Sequence, residues 1–296
     1  VATAQGRNGF TSDGIYGIES VIASGGGNET NLAGDLNFRF RPSLSDSFGT
    51  LGFFVGIGGM GGTLPFDYAY YLGLAFYNVL SGNVLVGIPR PGSYGYNNLP
   101  LPGGGIGFDL SLGSWNYRYG IGTYEAISFG RPAYGVRYEH ENGETDYAVS
   151  LSQLRWGGDI NLFSFGARRQ FGDTQVFGTL EHTWGVGGTI TNGAIGLRGR
   201  PMADSDSLGP IEAGGALFFA ESGGSSNLGA QAFVTAHPTD RLGVTLSAIT
   251  LQGAGTFYGL SGAYGFGNNV EVQAGVVASD TGGPSHTYNI GLYQRF

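Results

Sequence analysis

The chain alternates apolar and polar residues in runs of eight to twelve residues, each closed by a turn signal. Residues 32–41 show the pattern most clearly, because Phe38 and Phe40 lie at one parity while Asn37 and Arg39 lie at the other. Successive side chains of a strand point to opposite faces, so such a run predicts a strand with one apolar and one polar face. The same alternation returns in two segments near the C-terminus: 269–279 and 287–296.

Turn signals divide the chain into sixteen such strands, and Asn142-Gly143 is the strongest hairpin signal among them. Two stretches, 48–66 and 68–89, are uncharged and long enough for a membrane helix, but their glycines and the turn signal at 81–83 favour strands. The predicted strands are 15–23, 32–41, 49–58, 70–80, 82–88, 131–140, 145–152, 159–170, 174–182, 189–199, 210–220, 228–236, 241–251, 256–266, 269–279 and 286–296.

An even number of strands places both chain termini on the same rim of an antiparallel sheet. Five short turns then fall on that rim too, at 81–83, 141–144, 171–174, 237–240 and 266–269. Four phenylalanines lie near the same rim: Phe48, Phe171, Phe266 and Phe296. This placement resembles an aromatic girdle at a membrane interface.

Residues 89–130 do not fit the strand rhythm. They form a long connection that is rich in proline, glycine and aromatic residues, and connections longer than about 15 residues are usually functional or disordered. The aromatic content favours an ordered loop. If 106–112 and 114–122 were strands, the count would be eighteen; the pattern favours sixteen strands with one long loop.

Composition narrows the protein class. The chain has 296 residues, including 58 Gly and no Cys, and 14% of its residues are aromatic. The lack of cysteine excludes a disulfide scaffold or thiolate metal site, and so much aromatic surface disfavours disorder. A net charge of −8 without a basic run disfavours nucleic acid as a partner. All 14 basic residues are Arg, and no Lys is present.

Only 12% of the residues are charged, whereas soluble surfaces usually carry roughly 25–35% charged residues. A protein whose apolar face lies outside and whose polar face lies inside explains the low charge content, because its outer face contacts lipid while its few charged residues face a water-filled lumen. A bilayer also requires every backbone N–H and C=O to be paired, and a closed β-barrel meets that requirement. Residues 1–8 contain no apolar signal segment, as expected of a chain whose secretory signal has been removed.

The C-terminal strand, Tyr288-Asn289-Ile290-Gly291-Leu292-Tyr293-Gln294-Arg295-Phe296, resembles that of the general porins of Gram-negative outer membranes. The strand–turn–strand rhythm of 131–147 and 255–276 is similar to that family, particularly to its small sixteen-stranded alphaproteobacterial members. The resemblance implies one transmembrane barrel domain over 1–296, a homotrimer in contact with outer-membrane lipids and lipopolysaccharide, and Phe296 as the assembly signal. It also implies that 89–130 is the third loop, which folds into the lumen and narrows it.

A water-filled barrel of sixteen strands is expected to pass small hydrophilic solutes and ions by diffusion. Selectivity then depends on the charges at the narrowest point. Even spacing puts each of three arginine pairs on one face, and the lumen is the favoured face, although some of these arginines could lie at the rims instead: Arg39 and Arg41, Arg131 and Arg137, Arg198 and Arg200. The loop adds further candidates for the constriction: Asp109, Glu125, Arg90 and Arg118. Compared with the family, the loop has few acids and the chain no Lys, which puts the usual strongly charged constriction in doubt.

Three functions stay open at this stage: a general diffusion porin, a substrate-selective channel whose loop aromatics stack on a sugar or aromatic solute, and a non-transport β protein such as an adhesin or soluble sandwich. An enzyme is disfavoured, since no Gly-x-Ser-x-Gly nucleophile motif occurs near a strand-to-helix junction. No cofactor is expected. Asp204 and Asp206 could bind a structural Ca²⁺, although a solvated turn is the simpler interpretation.

Overall fold

The strands of this protein form a single antiparallel sheet. The computed structural model describes residues 4–5, 9–23, 27–41, 48–61, 67–92, 99–100, 133–155, 158–202, 208–253, 255–280 and 286–295. The strands in this part of the chain are β1 (Ala4–Gln5), β2 (Phe10–Ala23), β3 (Gly27–Phe40), β4 (Thr50–Gly61), β5 (Asp67–Val79), β6 (Gly82–Ile88), β7 (Ala133–His140), β8 (Thr145–Arg155), β9 (Asp159–Phe171), β10 (Thr174–Gly185), β11 (Gly188–Met202), β12 (Ile211–Ser222), β13 (Ser225–Thr239), β14 (Leu242–Leu251), β15 (Gly255–Gly267), β16 (Val270–Ser279) and β17 (His286–Arg295).

The sheet closes on itself. Each strand from β2 to β17 pairs with the next strand along the chain, and β17 pairs with β2 from Thr287↔Ala23 to Arg295↔Ile15. The short β1 pairs with β2 alone, through Ala4↔Ser12 and Gln5↔Thr11. Closure removes every free edge among the sixteen long strands, so their backbone N–H and C=O groups are satisfied within the sheet.

The sixteen predicted strands are confirmed, including the two uncharged stretches, which form β4, β5 and β6. No helix in the described ranges is long and apolar enough to cross a membrane. β6 pairs directly with β7, from Asn83↔Glu139 to Gly87↔Gly135, so no further strand lies between them. The segments of the eighteen-strand alternative, 106–112 and 114–122, lie outside the described residues.

Several strands extend further than their turn signals predict. The predicted strand 228–236 begins at Ser225 in the structure, because Ser225 and Ser226 pair with the end of β12. The turn before them needs only Gly223 and Gly224, whose φ values of 58° and 83° suit a tight hairpin. Ser225 and Ser226, which follow these glycines, therefore belong to the paired strand and not to the turn.

Exposed apolar side chains cover the outer face of the barrel. On β4, Leu51, Phe53, Val55 and Ile57 are all exposed, whereas Phe54 between them is buried. Because side chains of a closed barrel alternate between outside and lumen, the exposed parity faces outward and the buried parity faces inward. This is the inverted arrangement that the low charge content predicts.

The first barrel strand, β2, begins and the last, β17, ends at the same rim, which is called the terminal rim below. The start of β2, the end of β17 and five tight turns lie there, at 80–81, 141–144, 172–173, 240–241 and 268–269. Phe48, Phe171 and Phe266 are exposed beside it, as predicted, and Phe296 lies outside the described residues. Phe10 and Phe40 add a further ring pair on the outer face at this rim, with centroids 4.5 Å apart.

Candidate functional site

The long connection between β6 and β7 begins inside the lumen. The backbone N–H of Gly92 donates hydrogen bonds to the side-chain hydroxyls of Ser150, at 3.1 Å, and Ser164. Both serines are fully buried on the inner faces of β8 and β9. A side chain at position 92 would meet the wall, because a Cβ there would lie 2.7 Å from the carbonyl oxygen of Ser164 and 2.8 Å from that of Ala148.

A second described piece of this connection lies against a different part of the inner wall. Leu99 is 2% exposed and packs among inward apolar side chains of β10 and β12–β14, including Phe177 and Phe233. The Gln231 side-chain amide on β13 donates a hydrogen bond of 2.6 Å to the carbonyl oxygen of Pro100. Residues 89–92 and 99–100 therefore lie in the lumen, as predicted for the third loop; 93–98 and 101–130 lie outside the described residues.

A buried carboxylate organises the charges on the inner wall. Glu139 on β7 is fully buried and accepts hydrogen bonds from Arg39 on β3, which binds it through two nitrogens. Arg137 donates from Nε to Glu139 at 3.1 Å, and the Asn83 amide lies 3.5 Å from the same carboxylate. Three strands separate β3 from β7, about 19 Å along a sheet of usual spacing, so the Arg39–Glu139 contact reaches across the interior.

Arg137 also holds the start of the long connection. Its Nη1 donates to the carbonyl oxygen of Pro91 at 2.6 Å and to that of Arg90 at 3.3 Å. The Arg90 guanidinium in turn lies 4.4 Å from the centre of the Tyr71 ring. Arg137 therefore joins the carboxylate of Glu139 to the start of the long connection, which is a structural role.

A second guanidinium lies over a ring nearby, since Arg41 is 5.3 Å from the centre of the Tyr77 ring. The wall at β3–β7 and the start of the long connection thus carry four arginines, two of which, Arg39 and Arg137, bind the buried carboxylate of Glu139. We call this set the arginine cluster: Arg39, Arg41, Arg90, Arg137 and Glu139. In the turn that follows β7, partial desolvation and the negative charge of Glu139 raise the pKa of the Glu141 carboxyl.

Two further ion pairs line the wall toward the terminal rim. Arg168 on β9 lies 2.8 Å from Asp146 on β8, whose carboxylate also accepts the N–H groups of the 142–143 turn. Arg295 on β17 lies 2.8 Å from Glu271 on β16. These pairs are internally neutral, so the arginine cluster carries the excess positive charge of this part of the wall.

The other predicted site residues lie either on the wall or outside the described residues. Arg198 faces inward and is half-buried on β11, while Arg200, two residues on, is exposed near the terminal rim. No group of three potential metal ligands occurs among the described residues. Seven predicted residues lie outside them: Asp109, Arg118, Glu125, Arg131, Asp204, Asp206 and Phe296.

Sequence reasoning missed the central carboxylate. Glu139 lies two residues after Arg137, so both point to the same face, and this spacing is the signal that could have found it. Sequence reasoning also did not predict that parts of the lumen are apolar: two clusters of buried apolar side chains lie on the inner wall. The first centres on Phe54 and Tyr71, and the second on Phe218 and Phe233. The inner face is therefore mixed: it carries two apolar clusters beside the arginine cluster and two further ion pairs.

No protein-family model matches this chain, and no curated protein sequence matches it either. Solved structures match it over nearly its whole length. A triple mutant of the Rhodopseudomonas blastica porin has a TM-score of 0.63 at 11% identity and covers 97% of this chain and 100% of its own. Salmonella typhi OmpF, in complex with daunomycin, has a TM-score of 0.66 at 10% identity and covers both chains fully. Vibrio cholerae OmpT lacking loop L8 has a TM-score of 0.62 at 15% identity, covering 97% and 100%. The chain therefore has the fold of the general porins.

Proposed function

We propose that this protein forms a water-filled channel through an outer membrane and lets small hydrophilic solutes and ions diffuse across it. One observation carries the proposal: a charged, hydrogen-bonded cluster faces the interior of a closed barrel whose exterior is exposed and apolar. A soluble sandwich would place these faces the other way round. A channel of this kind performs no covalent chemistry.

The outer surface supports residence in a bilayer. Side chains such as Leu217, Leu246 and Ile195 are each 63% exposed, although exposure to water would be unfavourable for them. The exposed phenylalanines at the terminal rim suit the headgroup region of a membrane. Outer-membrane lipids and lipopolysaccharide are therefore the proposed surroundings, and the similarity in fold to general porins supports a homotrimer.

The arginine cluster supports a preference for anions. Four guanidiniums against the carboxylates of Glu139 and of Glu141, which interacts with Arg39 and Arg137 from the turn after β7, leave an excess of two positive charges. Charges that line a narrow aqueous path bias which ions enter it. The described start of the long connection lies against this cluster, so the path is narrowed at the place where the charge is concentrated.

Reconstitution into planar bilayers tests the proposal. The purified protein, as a trimer or as a monomer, is expected to give stepwise ohmic conductance. In a potassium chloride gradient, its reversal potential is expected to shift toward the equilibrium potential of chloride. The molecular mass of the detergent-solubilised protein tests the homotrimer separately. Protein that stays monodisperse without detergent and never conducts would refute the channel and favour an adhesin or soluble binding protein.

A further inference from the structure

We propose that a small cavity in the inner wall at β3–β7 binds a small inorganic anion such as chloride. The cavity has a volume of about 40 Å³, which is room for one or a few water-sized species. The proposal deepens the proposed channel function, and the role of the site in conduction rests on that function. The cavity is lined by Asn37, Arg39, Phe54, Tyr71, Arg90 and Arg137.

The charge around this cavity is of one sign. Three guanidinium groups line it, from Arg39, Arg90 and Arg137, and no carboxylate of the described residues does. Glu139 binds two of these arginines but does not itself line the cavity. A cavity lined by one sign of charge between poorly polarisable walls concentrates ions of the opposite sign. The lining therefore favours an anion over a cation or a neutral solute.

Two of the arginines keep N–H groups that an anion can use, since a guanidinium has five N–H donors. Arg137 donates from Nε to Glu139 and from Nη1 to the carbonyl oxygens of Arg90 and Pro91, so no described residue accepts a hydrogen bond from its Nη2. Arg39 binds Glu139 through Nη1 and Nη2, and its Nε has no acceptor in the same part of the chain. Hydrogen bonds between such donors and an anion are charge-assisted and strong.

The remaining walls of the cavity limit the size of the anion. Phe54 and Tyr71 pack in one buried cluster, and Arg90 lies 4.4 Å from the centre of the Tyr71 ring, so the apolar side is already closed. Gly56 also lines the cavity, and a Cβ there would lie 2.9 Å from Oδ1 of Asn37. Chloride and bromide are close to water in size, whereas an organic anion is too large for this space.

The site can exchange its anion with the lumen. The Arg39 side chain is 30% exposed, so one wall of the cavity is in contact with water. Conduction requires binding that is strong enough for an ion to enter and weak enough for it to leave. The cavity is therefore a place where small anions pause on their way through the channel.

Chlorine NMR of the detergent-solubilised protein in potassium chloride tests the site, because chloride that exchanges with a protein site gives a broader resonance. We expect protein-dependent broadening that potassium bromide removes by competition and that potassium gluconate, whose anion is too large, leaves in place. No protein-dependent broadening, or equal competition by gluconate, would overturn the site. The measurement needs no conduction, so broadening in a protein that never conducts in planar bilayers would refute the channel and leave the site standing.

Two variants locate the anion. Arg90→Gln removes one guanidinium from the cavity and should weaken chloride binding about tenfold or more, as expected for the loss of a charged donor. Arg241→Gln removes an exposed guanidinium from the turn before β14 and should bind chloride like the wild type.

Gly56→Ala keeps every charge but places a methyl group in the cavity, so it should also remove most of the broadening, and it tests the site if Arg90→Gln does not fold. Gly265→Ala is its control, because a Cβ there would lie 3.9 Å from its nearest neighbour. Unchanged broadening in either Arg90→Gln or Gly56→Ala would place the chloride outside this cavity and overturn the proposal.

Discussion

Replacing Glu139 by Gln tests the arginine cluster most directly. The substitution keeps the shape of the side chain and one carbonyl acceptor but removes the negative charge that Arg39 and Arg137 share. Because Glu139 is fully buried, water cannot reach position 139 to replace the lost charge. We expect Glu139→Gln both to destabilise the barrel and to increase its preference for anions.

The magnitude follows from burial. Breaking a buried ion pair by removing one partner usually costs about 3–5 kcal/mol, because the other charge stays buried. The Arg137 side chain is 7% exposed and stays buried, but that of Arg39 is 30% exposed and can recover hydration. Since glutamine also keeps one acceptor, we expect a loss of about 2 kcal/mol in the free energy of unfolding.

Urea unfolding of the detergent-solubilised protein, followed by tryptophan fluorescence, measures the stability. Glu144→Gln is the matched control: its carboxylate is 70% exposed and lies 3.7 Å from Arg169, so its loss should cost at most about 0.5 kcal/mol. Equal unfolding free energies for Glu139→Gln and Glu144→Gln would refute the stabilising role of the buried carboxylate. A reversal potential that does not move in Glu139→Gln would show that the cluster lies away from the conducting path.

Two further substitutions test whether the arginine cluster and the start of the long connection form a constriction. Arg39→Ala combined with Arg41→Ala should shift the reversal potential toward cations, because the cluster loses two of its four guanidiniums; an unchanged value would remove both residues from the narrow part of the channel. Gly92→Ala should displace the start of the long connection, since the new Cβ would lie 2.7 Å from the Ser164 carbonyl oxygen, and so raise the single-channel conductance. Gly178→Ala, whose Cβ would lie 3.7 Å from its nearest neighbour, is the control and should conduct like the wild type.

The fold could be predicted because each strand carries its own signal. On β3, apolar Phe38 alternates with Asn37 and Arg39, and this local pattern fixes both the strand and its two faces. Counting the strands along the chain then assigns each turn to one of the two rims. Strand ends were harder, because residues such as Ser225 look like turn residues but pair in the ladder.

The site could be predicted only in part, because its contacts are not local. Arg39 and Glu139 are 100 residues apart, and alternation shows that both face inward but not that they meet. The apolar parts of the inner wall could not be predicted for a different reason. On β12, Phe218 faces inward while Leu217 and Phe219 face outward, so both faces are apolar and the alternation of polar and apolar residues disappears.

The geometry of the cluster gives a physical reason for arginine rather than lysine at these positions. Arg137 binds Glu139 through Nε and two loop carbonyl oxygens through Nη1, and Arg39 binds the same carboxylate through two nitrogens. Arg90 stacks its planar face on Tyr71. A lysine ammonium is a compact point charge without a planar face or a fixed fork of donors, so it could not make the paired and stacked contacts of these positions. At these positions arginine supplies forked hydrogen bonds or a planar stacking face as well as a positive charge, and lysine could supply only the charge.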